Sequence, residues 1–253
     1  MNKTQHMDAL LRLGDDALVL AQRLGEWCGH APALEEDIAL TNIALDLIGQ
    51  TQSYLSLAGS LDPDAHKTDD ELAFLRSENE FKNLLLVEQT NGHFGDTIAR
   101  QFLFDQYALL RAEHVAQQTF DLDAAAIAAK AVKEIRYHAA HSSKWVIRLG
   151  DGTLESHSRI QKSINDLWAY TGEMFAADDV DIAGSIAGLL PDLSALKTQW
   201  DQQIDSVLAE ATLVRPQDGA MKTGGRMGIH TEALGTMLAE MQILPRTHPG
   251  ASW

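Results

Sequence analysis

After Asp121 the chain carries Glu134-Ile135-Arg136-Tyr137-His138, a carboxylate and an imidazole one helical turn apart on one face. Hard oxygen donors together with imidazole suit a pair of iron ions. Helical bundles hold such a pair with one carboxylate from each of two helices and a Glu-x-x-His from each of two others. Here Tyr137 occupies the histidine position and His138 comes one residue late. The corresponding stretch in the first half, Asp46-Leu47-Ile48-Gly49-Gln50, has aspartate for glutamate and no histidine. Aspartate is a methylene shorter, so it would hold a metal nearer the backbone or miss it. Asp16 and Asp105 precede Asp46 and Glu134 by nearly equal separations, the internal repeat that two paired helical hairpins would give.

Asp16, Asp46, Asp105, Glu134 and His138 therefore read as a vestigial site. No residue is assigned to catalysis, cofactor binding or metal. The alternative to partial ligation is an internal polar network, since buried polar groups need hydrogen-bond partners. In that network Lys130, Glu134 and His138 would satisfy one another, with Tyr137 or Asn42 adding bonds.

Other motifs carry less chemistry. Met221-Lys222-Thr223-Gly224-Gly225-Arg226-Met227-Gly228 has glycines and two cations, but not the spacing of a phosphate-binding loop, and no strand precedes it. A mobile loop positioning the final helix is the expectation. His230 would cap or orient that helix, with Thr231 as its N-cap. No nucleophile elbow, dinucleotide fingerprint or Cys/His zinc spacing is present. The single cysteine, Cys28, cannot form an intramolecular disulfide and reads as a small buried hydrophobe.

A formal net charge of −16 opposes binding to nucleic acid or anionic membrane, which demand a basic face. No segment approaches the roughly 20 apolar residues of a membrane span, and Met1 to Leu11 lacks the pattern of a secretory signal. A cytoplasmic location is expected.

The elements that would position these residues are helical throughout. Leu10, Leu13, Ala17, Leu20, Leu24 and Trp27 recur at three- and four-residue steps, and Gly29-His30-Ala31-Pro32 breaks the run. A second helix is predicted over about Leu34 to Leu57, apolar except for a stripe of Glu35, Asn42, Asp46, Gln50 and Ser53. The crossover has a turn at Asp62-Pro63-Asp64 and a helix over about Asp69 to Gln89. Long helices follow over about His93 to Gln118 and Leu122 to Leu149, the latter with a glycine cap at Gly150-Asp151-Gly152. Further helices are predicted over about Thr153 to Phe175, Ser194 to Ala211 and Thr231 to Leu244. Two long hairpins joined by one long crossover make an all-α, ferritin-like four-helix bundle. The 253 residues read as one domain, with core helices over about 5–149 and a helical extension over about 150–253.

Several runs resemble the PaaC family, the structural, non-catalytic subunits of phenylacetyl-CoA 1,2-epoxidase complexes. They are Gln22-Arg23-Leu24-Gly25-Glu26-Trp27-Cys28-Gly29-His30-Ala31-Pro32, Asn83-Leu84-Leu85-Leu86-Val87-Glu88-Gln89, Asp96-Thr97-Ile98-Ala99-Arg100-Gln101, Lys133 to His138, and the tail His230 to Gln242. The resemblance implies a ferritin-like subunit that carries no cofactor itself. It pairs with a catalytic ferritin-like subunit that holds the di-iron centre and binds the coenzyme A thioester, while a reductase supplies electrons from NADPH. The second helix is apolar enough to imply a stable hetero-oligomer through long-helix faces, and self-association when the partner is missing. Two alternatives stand beside this: a stand-alone di-metal oxidase or hydroxylase with an irregular ligand set, and a ferritin-like binding protein without a redox partner.

Overall fold

The computed structural model describes residues 1–62 and 66–251, so Pro63 and Asp64 of the expected turn lie outside the described residues. Among the described residues there are nine α-helices and no strand. They are α1 (Lys3–Gly25), α2 (Leu34–Ser60), α3 (Asp69–Phe74), α4 (Phe94–Val115), α5 (Leu122–Gly150), α6 (Leu154–Leu167), α7 (Asp179–Ala187), α8 (Leu193–Glu210) and α9 (Glu232–Thr247). The all-α, ferritin-like class expected from the sequence holds. The chain falls into two compact units, Met1–Gln89 with Gly224–Trp253, and Thr90–Thr223.

In the first unit α1 and α2 form a hairpin. Asn2 and Gln5 close a capping box at the start of α1, each side chain accepting the other's backbone N–H. Every residue from Ala9 to Ala21 is buried, charged ones included. Gly14 allows α2 to come close, because a Cβ there would lie 2.7 Å from Leu55 Cδ2. Trp27 is buried just beyond the helix end, while Cys28 is exposed in the turn, contrary to the buried hydrophobe expected. It sits among Gly29, His30 and Pro32, where the chain reverses and has no core face to offer.

The crossover helix predicted to Gln89 ends far sooner, and the reason is tertiary. α3 stops at Phe74, a 3₁₀ turn spans Glu78–Glu80, and the chain is irregular from there to Gln89. Side chains of α9 take the carbonyls that a continuing helix would have used. Gln242 Nε2 donates to the Ala73 and Arg76 carbonyls, and Arg246 donates to those of Phe74, Leu75 and Arg76. The amides of Lys82 and Leu84 donate to Asp15 and Asp16 of α1. Every buried backbone group needs a partner, and here the partners lie across the fold.

In the second unit α4 and α5 form the other long hairpin. His93 caps α4, with Asp96 reaching back to the His93 N–H at 2.9 Å. Asp121 caps α5 through the Ala124 N–H. The glycine cap expected at the end of α5 is not formed. Gly150 is the last helical residue and serves close approach instead, since a Cβ there would meet the Ala211 carbonyl at 2.3 Å. The helix predicted over Thr153 to Phe175 gives way after Leu167 to two 3₁₀ turns, Trp168–Tyr170 and Gly172–Phe175. α7 was not read from the sequence, although Asp178 caps its first amides and Gly188, at φ 82°, ends it.

Trp200 of α8 is the centre of this unit's core. It is 1% exposed, donates from Nε1 to the Leu103 carbonyl at 3.0 Å, and lies 5.7 Å from Trp168 and 5.2 Å from Phe175 between ring centroids. Arg215 covers Trp168 and pairs with Asp201 and Asp205, pinning the irregular segment after α8. Trp200→Ala is expected to cost about 3–5 kcal/mol, measured by urea denaturation at fixed pH. A cost under about 1 kcal/mol would show that α8 contributes little to the core.

Candidate functional site

The five candidate residues divide between the two units, Asp16 and Asp46 in the first, Asp105, Glu134 and His138 in the second. Asp16 is fully buried, and both its oxygens face a cation. Arg226 Nη1 and Nη2 each lie 2.9 Å from one carboxylate oxygen, and the Leu84 amide donates to Oδ1 at 2.9 Å. Beside it Asp15 takes the Arg76 guanidinium on both oxygens and the Lys82 amide at 2.8 Å. Arg76 is itself stacked 4.3 Å over the Phe81 ring.

Arg226 belongs to the glycine-rich loop, whose stretch from Gly224 to Gly228 packs closely on the crossover. A Cβ at Gly225 would sit 2.2 Å from the Asn83 carbonyl, and one at Gly228, where φ is 77°, would sit 2.1 Å from that of Asn79. These glycines let the loop lie against the crossover so that Arg226 can reach Asp16. The loop is therefore a structural anchor and no phosphate cradle.

Asp46 is half-buried on α2 and is followed by Gly49 and the buried Gln50, with no imidazole near it in sequence. On α4, Asp105 is 3% exposed and accepts from Ser142 Oγ at 2.9 Å, with Gln101 Nε2 at 3.5 Å. Burial pushes its carboxyl up to about 8, against the opposing pull of the Ser142 hydrogen bond and the Arg100 charge. His138 is buried on α5 and its carbonyl accepts from the same Ser142 hydroxyl at 3.0 Å. Glu134 is half-buried, whereas Lys130, Asn42 and Tyr137 are exposed. Lys130, Asn42 and Tyr137 thus stand at the surface and not inside the expected network, because helical winding carries Lys130 and Tyr137 to the outer side of α5, although the Tyr137 ring meets that of His138 edge-on at 6.3 Å.

Among the described residues no three His, Cys, Asp or Glu side chains come together as a metal site. The donor chemistry does not fit a carboxylate-bridged iron pair either. At Asp16 the place of a metal ion is taken by a guanidinium, and a second cation there would be repelled. Asp46 lacks its histidine, so the first unit offers no Glu-x-x-His equivalent.

A second buried node went unrecognised in the sequence. Glu88 is fully buried and accepts from Asn83 Nδ2 at 2.9 Å, from the Thr231 amide at 2.7 Å and from His230 Nδ1 at 2.8 Å. His230 Nε2 lies 3.1 Å from the Phe81 carbonyl, so both ring nitrogens face acceptors and the imidazolium satisfies both. Burial disfavours that charge, yet the Glu88 hydrogen bond and charge, with the Phe81 carbonyl and Glu78, outweigh it and raise the His230 pKa. His230 orients α9, as expected. Thr231 stands at the N-cap, but its hydroxyl does not cap; the Glu88 carboxylate binds its amide instead. Arg23 completes the attachment by donating to the Glu88 and Ala233 carbonyls.

Both shifted groups predict one sign of pH dependence. Asp105 and His230 have folded pKa values above their unfolded ones, so their contributions are complete below the unfolded pKa and fade as pH rises through the folded pKa. For Asp105 that window runs from about 4 to about 8. Melting temperature should therefore fall across this range more steeply in the native protein than in Asp105→Asn, whose amide cannot ionise. Parallel curves for the two proteins would show that Asp105 ionises normally. His230→Gln is expected to melt lower than the native protein at about pH 6, with the difference shrinking as pH rises above about 6.5. A constant difference would mean that no charge is held there.

A model of the family described as phenylacetic acid catabolic protein matches residues 1–253. The chain is 51% identical over 248 residues, 96% of its own length and 97% of the relative's, to a protein of Escherichia coli strain K12 named as a subunit of 1,2-phenylacetyl-CoA epoxidase. Helices with no strand among the described residues, a long hairpin in each unit and this end-to-end match agree: the chain belongs to the phenylacetic acid catabolic protein family.

Proposed function

We propose that this chain is the structural partner subunit of a multicomponent di-iron monooxygenase that epoxidises the ring of phenylacetyl-CoA in aerobic phenylacetate catabolism. The observation that carries this reading is the end-to-end similarity to a phenylacetyl-CoA epoxidase subunit. The guanidinium seated on Asp16 supports the non-catalytic part of it. Iron and the thioester substrate belong to a second, catalytic helical subunit, and electrons come from NADPH through a reductase. The chain's own work is mechanical. It covers apolar helix faces of the catalytic subunit and keeps that subunit's ligand helices in register, because oxygen activation needs a rigidly supported set of ligands. None of the described helices is long and apolar enough to cross a membrane, in keeping with a cytoplasmic complex.

Co-expression with the catalytic and reductase components tests the reading. Co-elution on size-exclusion chromatography at micromolar concentration, with NADPH-dependent epoxidation that requires this chain, is the expected outcome. Separate elution, or full activity without it, would overturn the assignment. The isolated chain, reconstituted anaerobically with ferrous iron and desalted, should keep far less than one iron per chain. Retention of an iron pair that disappears in Glu134→Ala would instead favour the stand-alone di-metal oxidase.

A further inference from the structure

The inner face of α2 is buried, with Leu40, Ile43, Leu47 and Tyr54 all at most 5% exposed. Its outer face is also apolar. Leu34, Ile38, Leu45 and Ile48 are 73%, 54%, 62% and 39% exposed, and with half-buried Thr41 and exposed Gln52 they form one row. The steps along it alternate four and three residues, the 3.5-residue repeat of a seam that another helix can follow. An apolar row on a long helix is not the scattered exposure ordinary on a protein surface.

Charge decides what fits the row. The 27 residues of α2 include Glu35, Glu36, Asp37 and Asp46 and no lysine or arginine. Helical winding places Glu35, Asn42 and Asp46 along one flank of the row. A second copy of this chain would bring an equally acidic helix to the seam, and two molecules each of net charge −16 repel. A helix whose own apolar repeat is flanked by lysine or arginine complements both the seam and its border.

We infer that the outer face of α2 is a docking seam for one amphipathic helix of the catalytic subunit, with basic residues beside that helix's apolar row. This rests on the subunit reading above and goes beyond it by naming the surface and the chemistry of its occupant. It also argues against this face as the route of the self-association expected from the sequence.

The experiment measures the affinity of the purified chain for the catalytic subunit, using the native protein, Leu45→Arg, Ile38→Arg and Glu35→Lys. Leu154→Arg is the control, because Leu154 is 93% exposed and lies in the other compact unit. Circular dichroism and melting temperature establish that each variant folds. Leu45→Arg and Ile38→Arg are each expected to weaken binding about tenfold or more, Glu35→Lys to weaken it and flatten its salt dependence, and Leu154→Arg to leave it unchanged. If the native protein binds and the two seam variants bind equally well, the seam is wrong while the subunit reading stands. If the native protein does not bind at all, the subunit reading itself fails. Self-association of the native chain that Leu45→Arg abolishes would make a second copy the occupant and overturn the inference.

Discussion

Two adjacent buried carboxylates on α1, Asp15 and Asp16, are the constraint on which the first compact unit depends. Consecutive residues on a helix point in different directions, so each aspartate recruits its own arginine and its own backbone amide. Asp15 binds Arg76 and the Lys82 amide; Asp16 binds Arg226 and the Leu84 amide. Removing one partner of a buried ion pair typically costs about 3–5 kcal/mol, because the other charge is stranded. The crossover is irregular between Phe81 and Gln89 because the Lys82 and Leu84 amides serve these carboxylates, and the glycine-rich loop lies against it so that Arg226 reaches one of them. α9 then adds Gln242, Arg246 and the His230–Glu88 pair to the same crossover.

The same arrangement bears on the candidate metal-ligand positions. A carboxylate in the interior of a long helical hairpin is the raw material of a metal site, and here a guanidinium neutralises it from within the chain. In the second unit the corresponding aspartate, Asp105, is buried against the Ser142 hydroxyl, and burial pushes its carboxyl up to about 8. At both positions the surroundings oppose a bare negative charge, by a paired guanidinium at Asp16 and by burial at Asp105. A rigid hairpin with one face committed to its own core and one apolar row turned outward is what a supporting subunit needs.

The long helices were legible because periodicity and caps agree over many turns: α2 begins at Leu34 and α5 at Leu122, where the pattern placed them. Asp105 on the buried stripe of α4 was legible for the same reason. The crossover misled because Leu84 to Val87 reads as an apolar helical run, while its hydrogen bonds depend on residues more than sixty positions away. A local signal did exist in Ser77 and Glu80, a capping box in mid-segment that marks a fresh start. Asp178 and Gly188 likewise bracket α7. Nothing local marks Arg226 as the partner of Asp16 or His230 as that of Glu88, because those pairs form only when the chain's two ends meet.

Anomalous diffraction at the iron absorption edge tests most directly whether Asp16 is committed to Arg226 and iron resides only on the partner. Crystals of the assembled complex, loaded with iron, are the sample. The expected map shows iron peaks within the catalytic subunit alone, with the Arg226 guanidinium seated on the Asp16 carboxylate. An iron peak between the long helices of this chain, with Arg226 displaced, would contradict it.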